Sequence, residues 1–478
     1  MDGLECSEIL FSYINKGRRM DAEFFKKELL NEETHVKALA HFYLPLKNVV
    51  SGPFGSSLKS ESYLEKGPVP FIRISNILGG FWINQNDLVY ISEKDNQKII
   101  NSALKTDDLI LSKVGNSIGY FARVDETICR CNISENNIGI KLQSYKVPMR
   151  HYILTYLNCK YGRTLIRRRQ SGNSQPKINV SDVTKIPIPS FSDVFYGKIS
   201  NVLQLANECI DKGNSEYDLA EELLLRDINI SRVSLSSDNI SIKSFSESFE
   251  QTGRLDAEYY QKKYDVLLES IKGGACGKLH DLVTISKSIE PGSEAYCDEG
   301  IPFIRISDFS KNGFSTPDKY LESGGNYDIP ELYLKKGEIL FSKDGSIGIA
   351  YKVEQDTKAI TSGALLHLKI KDSSAILPDY LTAVLNSDIV RLQAERDAGG
   401  SIINHWKPSE IEEVLIPILP IDKQQRVSDK IVRSFNLRHK SERLLDAAKQ
   451  AVEMAIEKDE EVAIRWLNER RKEIENIN

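Results

Sequence analysis

Pro70-Phe-Ile-Arg-Ile-Ser-Asn76 returns 232 residues later as Pro302-Phe-Ile-Arg-Ile-Ser-Asp308. Four more motifs recur around it in the same order. Gly17-Arg-Arg-Met-Asp-Ala-Glu-Phe-Phe25 pairs with Gly253-Arg-Leu-Asp-Ala-Glu-Tyr-Tyr260, and Asp108-Leu-Ile-Leu-Ser-Lys-Val-Gly-Asn-Ser-Ile-Gly119 with Glu338-Ile-Leu-Phe-Ser-Lys-Asp-Gly-Ser-Ile-Gly348. Tyr152–Asn158 pairs with Tyr380–Asn386, and Ile186-Pro-Ile-Pro189 with Ile416-Pro-Ile-Leu-Pro420. The offset stays near 230 residues, far beyond the roughly 20 to 50 of a solenoid, so one large unit is written twice.

Each copy carries the same local signals. Phe71–Ser75 and Phe303–Ser307 alternate apolar and polar residues, as half-buried strands do. Leu109–Ser112 and Ile339–Ser342 are short β-prone runs that end in a glycine-containing turn before a second strand, Tyr120–Val124 or Ile349–Val353. Tyr152–Arg169 and Tyr380–Arg396 have helical periodicity and stop near Gly172 and Gly399-Gly400. After each copy comes a long amphipathic pattern. Ile199, Val202, Ala206, Ile210, Tyr217, Ala220 and Leu224 mark the first; Val427, Ile431, Phe435, Leu445, Ala448, Val452, Ala455, Val462 and Trp466 mark the second. Gly213-Asn-Ser reads as a bend in the first helix.

The fold expected is mixed α/β: two similar domains rich in short strands, joined and followed by long helices that form an antiparallel, coiled-coil-like spacer. The boundaries read as 1–190 for the first domain, 191–228 for the central helix, 229–420 for the second domain and 421–478 for the C-terminal helix.

Composition narrows the class. Hydrophobic residues at 41% and charged residues at 27% belong to a globular chain, and no apolar run approaches a membrane span. The first residues lack a basic segment followed by an apolar one, so the cytoplasm is the expected location. Seven cysteines include no CxxC pair, and those of one copy do not recur in the other, which argues for reduced thiols over a disulfide framework or zinc. The net charge is −5, yet residues 141–185 hold ten basic residues against one acid, a local +9. Residues 369–413 of the second copy hold five against eight, a local −3. Distribution, rather than total charge, marks a nucleic-acid surface.

Gly52-Pro-Phe-Gly-Ser-Ser-Leu-Lys59, Val69–Ile77, Asp107–Gly115 and Ser171-Gly-Asn-Ser-Gln-Pro-Lys177 resemble the DNA specificity subunit of type I restriction–modification systems, as does the doubled unit with a helix after each copy. The resemblance spans nearly the whole chain. It implies a non-catalytic reader of double-stranded DNA, with one target-recognition domain on each half of a split target and the helices as a ruler. It also implies that this chain binds no cofactor. Two partner methyltransferase subunits would use S-adenosylmethionine to methylate adenine, and a motor-nuclease subunit joins in restricting systems. A reader serving another methylation-linked anti-phage defence system is the alternative. The second copy departs from the pattern: Ser288-Ile-Glu-Pro-Gly-Ser293 stands for Gly52–Lys59, and Gly399-Gly-Ser-Ile-Ile-Asn-His-Trp406 for the Ser-Gly-Asn-Ser-Gln loop.

Phosphate contacts supply affinity and base-edge contacts supply sequence, so a reader needs Lys and Arg beside amides and hydroxyls. In the first copy the candidates are Lys59, Arg73, Lys113, Asn116, Ser117, Arg167, Arg168, Arg169, Gln170, Ser171, Asn173, Gln175 and Lys177. In the second they are Arg305, Lys343, Ser346, Arg396, Ser401, Asn404, His405 and Lys407. For Arg73 and Arg305, inside strands, a salt bridge is an equal rival. Partner docking falls to Ile199, Val202, Ala206, Leu224, Ile431, Leu445, Val452 and Trp466 on the helices. The charge difference predicts that the first domain provides more of the salt-dependent affinity.

An enzyme is the rival class. The chain has neither the Asn-Pro-Pro-Tyr type of tetrapeptide nor a phosphate-binding P-loop, and its seven histidines lack metal-site spacing. Asp21 and Glu23, with Asp256 and Glu258, lack accompanying ligands, so a helix-start or docking role is expected. A nuclease built from dispersed acids is the remaining catalytic alternative.

Overall fold

The computed structural model describes residues 8–476 except 12–13, 15–18, 78, 80, 86–87, 116–117, 173–175, 231–239, 316 and 399–404. Two compact units emerge. One comprises residues 1–209 and 439–478, the other 210–438. The helix Asp193–Asp227 therefore begins in the first unit and ends in the second, while Ile421–Glu457 does the reverse. None of the described helices is long and apolar enough to cross a membrane.

The first unit is built on a five-stranded sheet ordered Val49–Ser51, Asn137–Ile140, Leu109–Ser112, Phe121–Arg123, Phe81–Trp82. A four-stranded sheet, Val89–Ile91, Val69–Ile72, Arg130–Ile133, Leu104–Lys105, stands beside it. The second unit repeats the arrangement with Val283–Lys287, Leu365–Ile370, Ile339–Ser342 and Ala350–Lys352, and with Tyr296–Cys297, Tyr320–Leu321, Ile301–Ile304 and Ile360–Thr361. Short apolar strands such as Leu109–Ser112 and Ile339–Ser342 are wholly buried, so their continuous hydrophobicity, rather than alternation, is what the core requires. The mixed fold of repeated short-stranded domains and long helices is the one expected.

Local readings change in four places. The strands end at Ile72 and Ile304, and Arg73 and Arg305 cap short 3-10 turns rather than lying inside strands. The cause is the residue three places on: the Arg73 N–H donates to Asn76 Oδ1 (2.9 Å) and the Arg305 N–H to Asp308 Oδ2 (3.0 Å). Each expected single helix is two, Val147–Asn158 with Lys160–Arg168 and Pro378–Asn386 with Asp388–Asp397. The break follows Asn158 and Asn386, whose amides clamp the neighbouring strand: Asn158 Nδ2 donates to Phe121 O and Asn386 Nδ2 to Ala350 O, each 2.8 Å. Gly213 does not bend its helix, which runs unbroken from Asp193 to Asp227. The missing side chain admits a neighbour instead, and Ser434 Oγ donates to the Gly213 carbonyl at 2.6 Å.

Within the second unit the two long helices run antiparallel, since Glu216 meets Lys430 (2.7 Å) while the later Asp227 meets the earlier Lys423 (3.5 Å). Ile199, Val202, Ala206, Leu224, Ile431, Leu445 and Val452 are all buried, and Trp466 half-buried. These positions were expected to receive partners; their apolar faces are already covered by this chain's own packing, because a period near 3.5 marks any buried helix face. The Asp-Ala-Glu-aromatic motif has a structural use. Arg19 holds the Asp21 carboxylate through two bonds (2.7 and 2.8 Å) and lies over Phe24, and Arg254 does the same with Asp256 (2.9 and 2.6 Å) and Tyr259.

A difference between the units concerns Asp107, which adopts φ +68°, while Gly337 holds the equivalent place at φ +85°. Their N–H groups donate to the matching carbonyls of Val124 and Val353, at 2.8 Å each. A side chain there costs on the order of 1 kcal/mol, and Asp107 offsets it with a buried network. Its carboxylate accepts from Arg123 (2.7 Å) and contacts His151 Nε2 (3.3 Å), whose Nδ1 meets Ser200 Oγ at 2.9 Å. Asp107, His151 and Ser200 are buried, so the network ties a helix to the sheet. Burial would raise the Asp107 carboxyl, but the hydrogen bonds from His151 and Arg123 prevail and hold it at about 2, below its ordinary 3.8. A depressed carboxylate stabilises the fold above its unfolded value and loses that contribution as pH falls from 3.8 through about 2. Denaturant midpoints measured from pH 5 to pH 2 should fall across that window, and Asp107→Asn should flatten the fall while lowering stability near neutrality.

Candidate nucleic-acid interface

The two segments richest in candidate residues come together in the first unit. The turn after Leu109–Ser112 and the loop after Lys160–Arg168 are bridged at Val114 and Lys177. The Gly115 N–H donates to the Pro176 carbonyl (3.0 Å) and the Ile178 N–H to the Lys113 carbonyl (3.0 Å). Ser171 and Lys177 exchange both backbone hydrogen bonds, at 2.9 and 2.8 Å, which ties the two ends of this loop together. Ser171 and Lys177 are exposed on it, Gln170 is half-buried, and Asn116, Ser117, Asn173 and Gln175 lie outside the described residues.

Arg167 is exposed just before this loop. Burial of part of its stem and the nearby Arg163 cation pull its pKa below the ordinary value. Arg163 in turn stacks on the Tyr120 ring (4.3 Å to its centre) and donates to its hydroxyl (2.8 Å). Two guanidiniums so placed favour an external anion such as a phosphate. Arg163 and Tyr120 were not among the sequence candidates, since nothing local pairs them. Lys113 is half-buried, its Nζ 3.4 Å from Ser51 Oγ. Lys59 is exposed and Arg73 half-buried, and both line a cavity of about 600 Å³ together with Phe54, Tyr63 and Glu135.

Arg168 and Arg169 are elsewhere. Both turn inward to Glu33, whose carboxylate they share, and Arg168 Nε also donates to the Phe24 carbonyl at 2.7 Å. They anchor the helix Lys160–Arg168 on Lys27–Leu39 and are removed from the DNA-contact set. The helical period explains the split: of three consecutive arginines only Arg167 points outward.

The second unit docks the end of its loop on the equivalent turn with different residues. Asp344 and His405 form the bridge, and the Trp406 N–H donates to the Lys343 carbonyl (2.9 Å) as Ile178 does to Lys113. Trp406 and Ile178 are both buried and anchor the loop. Here, however, each candidate cation has an acid. Lys343 pairs with Asp344, which also holds His405 at 2.8 Å. Arg305 pairs with Asp318, Lys407 with Glu410 (3.2 Å), and Arg396 with Asp397 (2.6 Å) beneath the Tyr259 ring. For Arg305 the salt bridge is thus the structural outcome, and Arg396, like Arg168, supports the frame. Burial would raise the Asp344 carboxyl, but Lys343 and His405 draw it below its ordinary value. Ser346 is exposed in the turn; Ser401 and Asn404 lie outside the described residues.

Known proteins complete the picture. No curated protein sequence matches the chain. Among solved structures it is similar to a type I restriction–modification S subunit from M. genitalium, at 13% identity over 88% of this chain and 94% of that one, with a TM-score of 0.33. It is also similar to the HsdS subunit from Thermoanaerobacter tengcongensis, at 14% identity over 84% and 90%, with a TM-score of 0.26. Residues 274–443 match the family described as the type I restriction modification DNA specificity domain. That segment belongs to the type I restriction–modification DNA specificity domain family, and the first half of the chain repeats its frame.

Proposed function

We propose that this chain is a non-catalytic DNA reader that engages a two-part, asymmetric target, one unit on each part. One observation carries the reading: the same bridge between turn and loop occurs in both units, with Val114 and Lys177 in one and Asp344 and His405 in the other. A common frame with dissimilar tips suits two dissimilar half-sites, since base contacts are made by a few side chains on positioned elements. The antiparallel helices would fix the separation of the half-sites. In this reading the catalytic work lies on other chains: two adenine methyltransferase subunits that use S-adenosylmethionine, and a motor-nuclease where the system restricts. The protein would act in the cytoplasm.

Sequencing the methylated adenines of a host with and without this gene tests the proposal. One split motif is expected to lose its modification entirely. An unchanged methylation pattern, together with no sequence-selective mobility shift by the chain alone or with its methyltransferase, would refute it.

A further inference from the structure

The strand registers align the two units residue by residue. Ser51 pairs with Ile138 as Lys287 pairs with Leu366, which places Glu290 at the position of Phe54. Ile72 pairs with Ile133 as Ile304 pairs with Thr361, which places Gly363 at the position of Glu135. In the first unit a Cβ on Gly55 would collide with the Glu135 carboxylate; in the second, a Cβ on Gly363 would collide with that of Glu290. Each unit therefore lays one carboxylate across the same pair of segments, and the two units supply it from opposite sides. The carrier segment differs between the units while the carboxylate occupies the same place.

That place adjoins the bridged turns. The Lys113 N–H donates to the carbonyl of Asn136, next to Glu135 (2.7 Å), and the Lys343 N–H to that of Ala364, next to Gly363 (2.9 Å). Both carboxylates belong to exposed residues, and neither has an ion-pair partner among the described residues, while Glu135 shares its cavity with Lys59 and Arg73. A bare carboxylate on a surface that meets phosphates is repelled unless a hydrogen-bond donor faces it. In the major groove the donors on offer are the exocyclic amino groups of cytosine and adenine, whereas guanine and thymine turn carbonyl oxygens to the same region.

We infer that Glu135 and Glu290 are sequence-determining residues, one per unit, each accepting a hydrogen bond from the exocyclic amino group of one base. The inference rests on the DNA-reading function proposed above. The full-length chain, as wild type, Glu135→Gln and Glu290→Gln, is used to select from a pool of random-sequence duplexes, and the bound DNA is sequenced. Wild type should return a split motif with a cytosine or adenine in each half that tolerates no other base. Glu135→Gln should lose about tenfold of the discrimination at one of these positions, with a cytosine shifting toward adenine because glutamine prefers it. Glu290→Gln should act likewise in the other half, each variant leaving the opposite half intact. Motifs identical to wild type, or a loss spread evenly over both halves, overturn the assignment while leaving the DNA reader standing. A change in one unit only overturns it for the other glutamate. A wild type that selects no motif sinks the DNA reading itself.

Discussion

Glu33→Gln is expected to destabilise the first unit by about 3–5 kcal/mol, the cost of leaving buried charge without its partner. Its carboxylate stands between two guanidiniums: the Arg168 side chain is 0% exposed, and those of Arg169 and Glu33 are each 6% exposed. Arg169 also donates to the carbonyls of Leu165 (2.8 Å) and Lys185 (3.2 Å), so the cluster ties three segments together. A neutral amide removes the counter-charge but leaves both cations without water. Urea denaturation followed by circular dichroism measures the loss, and a value below about 1 kcal/mol would show that the arginines escape to solvent. A second measurement separates this role from DNA contact. Under conditions where each variant is folded, Arg168→Met combined with Glu33→Met should bind DNA with unchanged salt dependence, because neither side chain reaches the surface.

Arg168 and Arg169 show why part of the site was invisible in the chain order. A run of three arginines before an amide-rich loop reads as one basic patch, yet the acid that claims two of them lies 135 and 136 residues upstream. Charge counting treats every lysine and arginine alike; folding sorts them into paired and unpaired. What was legible depended on covalent neighbours: the repeated strands, the glycine turns and the helix periods all follow from spacing along the chain, and they recur because the frame recurs. What was illegible depended on contacts across the fold. The Asn158 and Asn386 clamps that split a helix, the stacking of Arg163 on Tyr120, and the exchange of the acid between Glu135 and Glu290 all involve segments tens of residues apart. Asp107 is a mixed case. The glycine at its counterpart, Gly337, betrays a left-handed backbone only after the two units are aligned.

The same sorting sharpens the expected asymmetry in DNA affinity. In the second unit Arg305, Lys343, Arg396 and Lys407 are each matched to a carboxylate on the protein, so a phosphate gains little by approaching them. In the first unit Lys59, Lys113, Arg167 and Lys177 have no acidic partner among the described residues, and Arg163 adds a further cation beside Arg167. Each cation that neutralises a phosphate releases counterions, and the slope of log affinity against log salt changes by about 0.9 per contact. The triple variant Lys113→Ala, Arg167→Ala, Lys177→Ala should therefore flatten that slope by between about 2 and 3, with affinity at low salt falling on the order of a hundredfold or more. Arg305→Ala, Lys343→Ala, Lys407→Ala should change it by less than about 1, since the carboxylates those residues neutralise would be exposed in the same step and the cations were never free to replace counterions. Fluorescence anisotropy titrations across a salt series on one duplex read both values. Equal slope changes would mean that the ion pairs of the second unit open on binding, and that the first unit holds no electrostatic advantage.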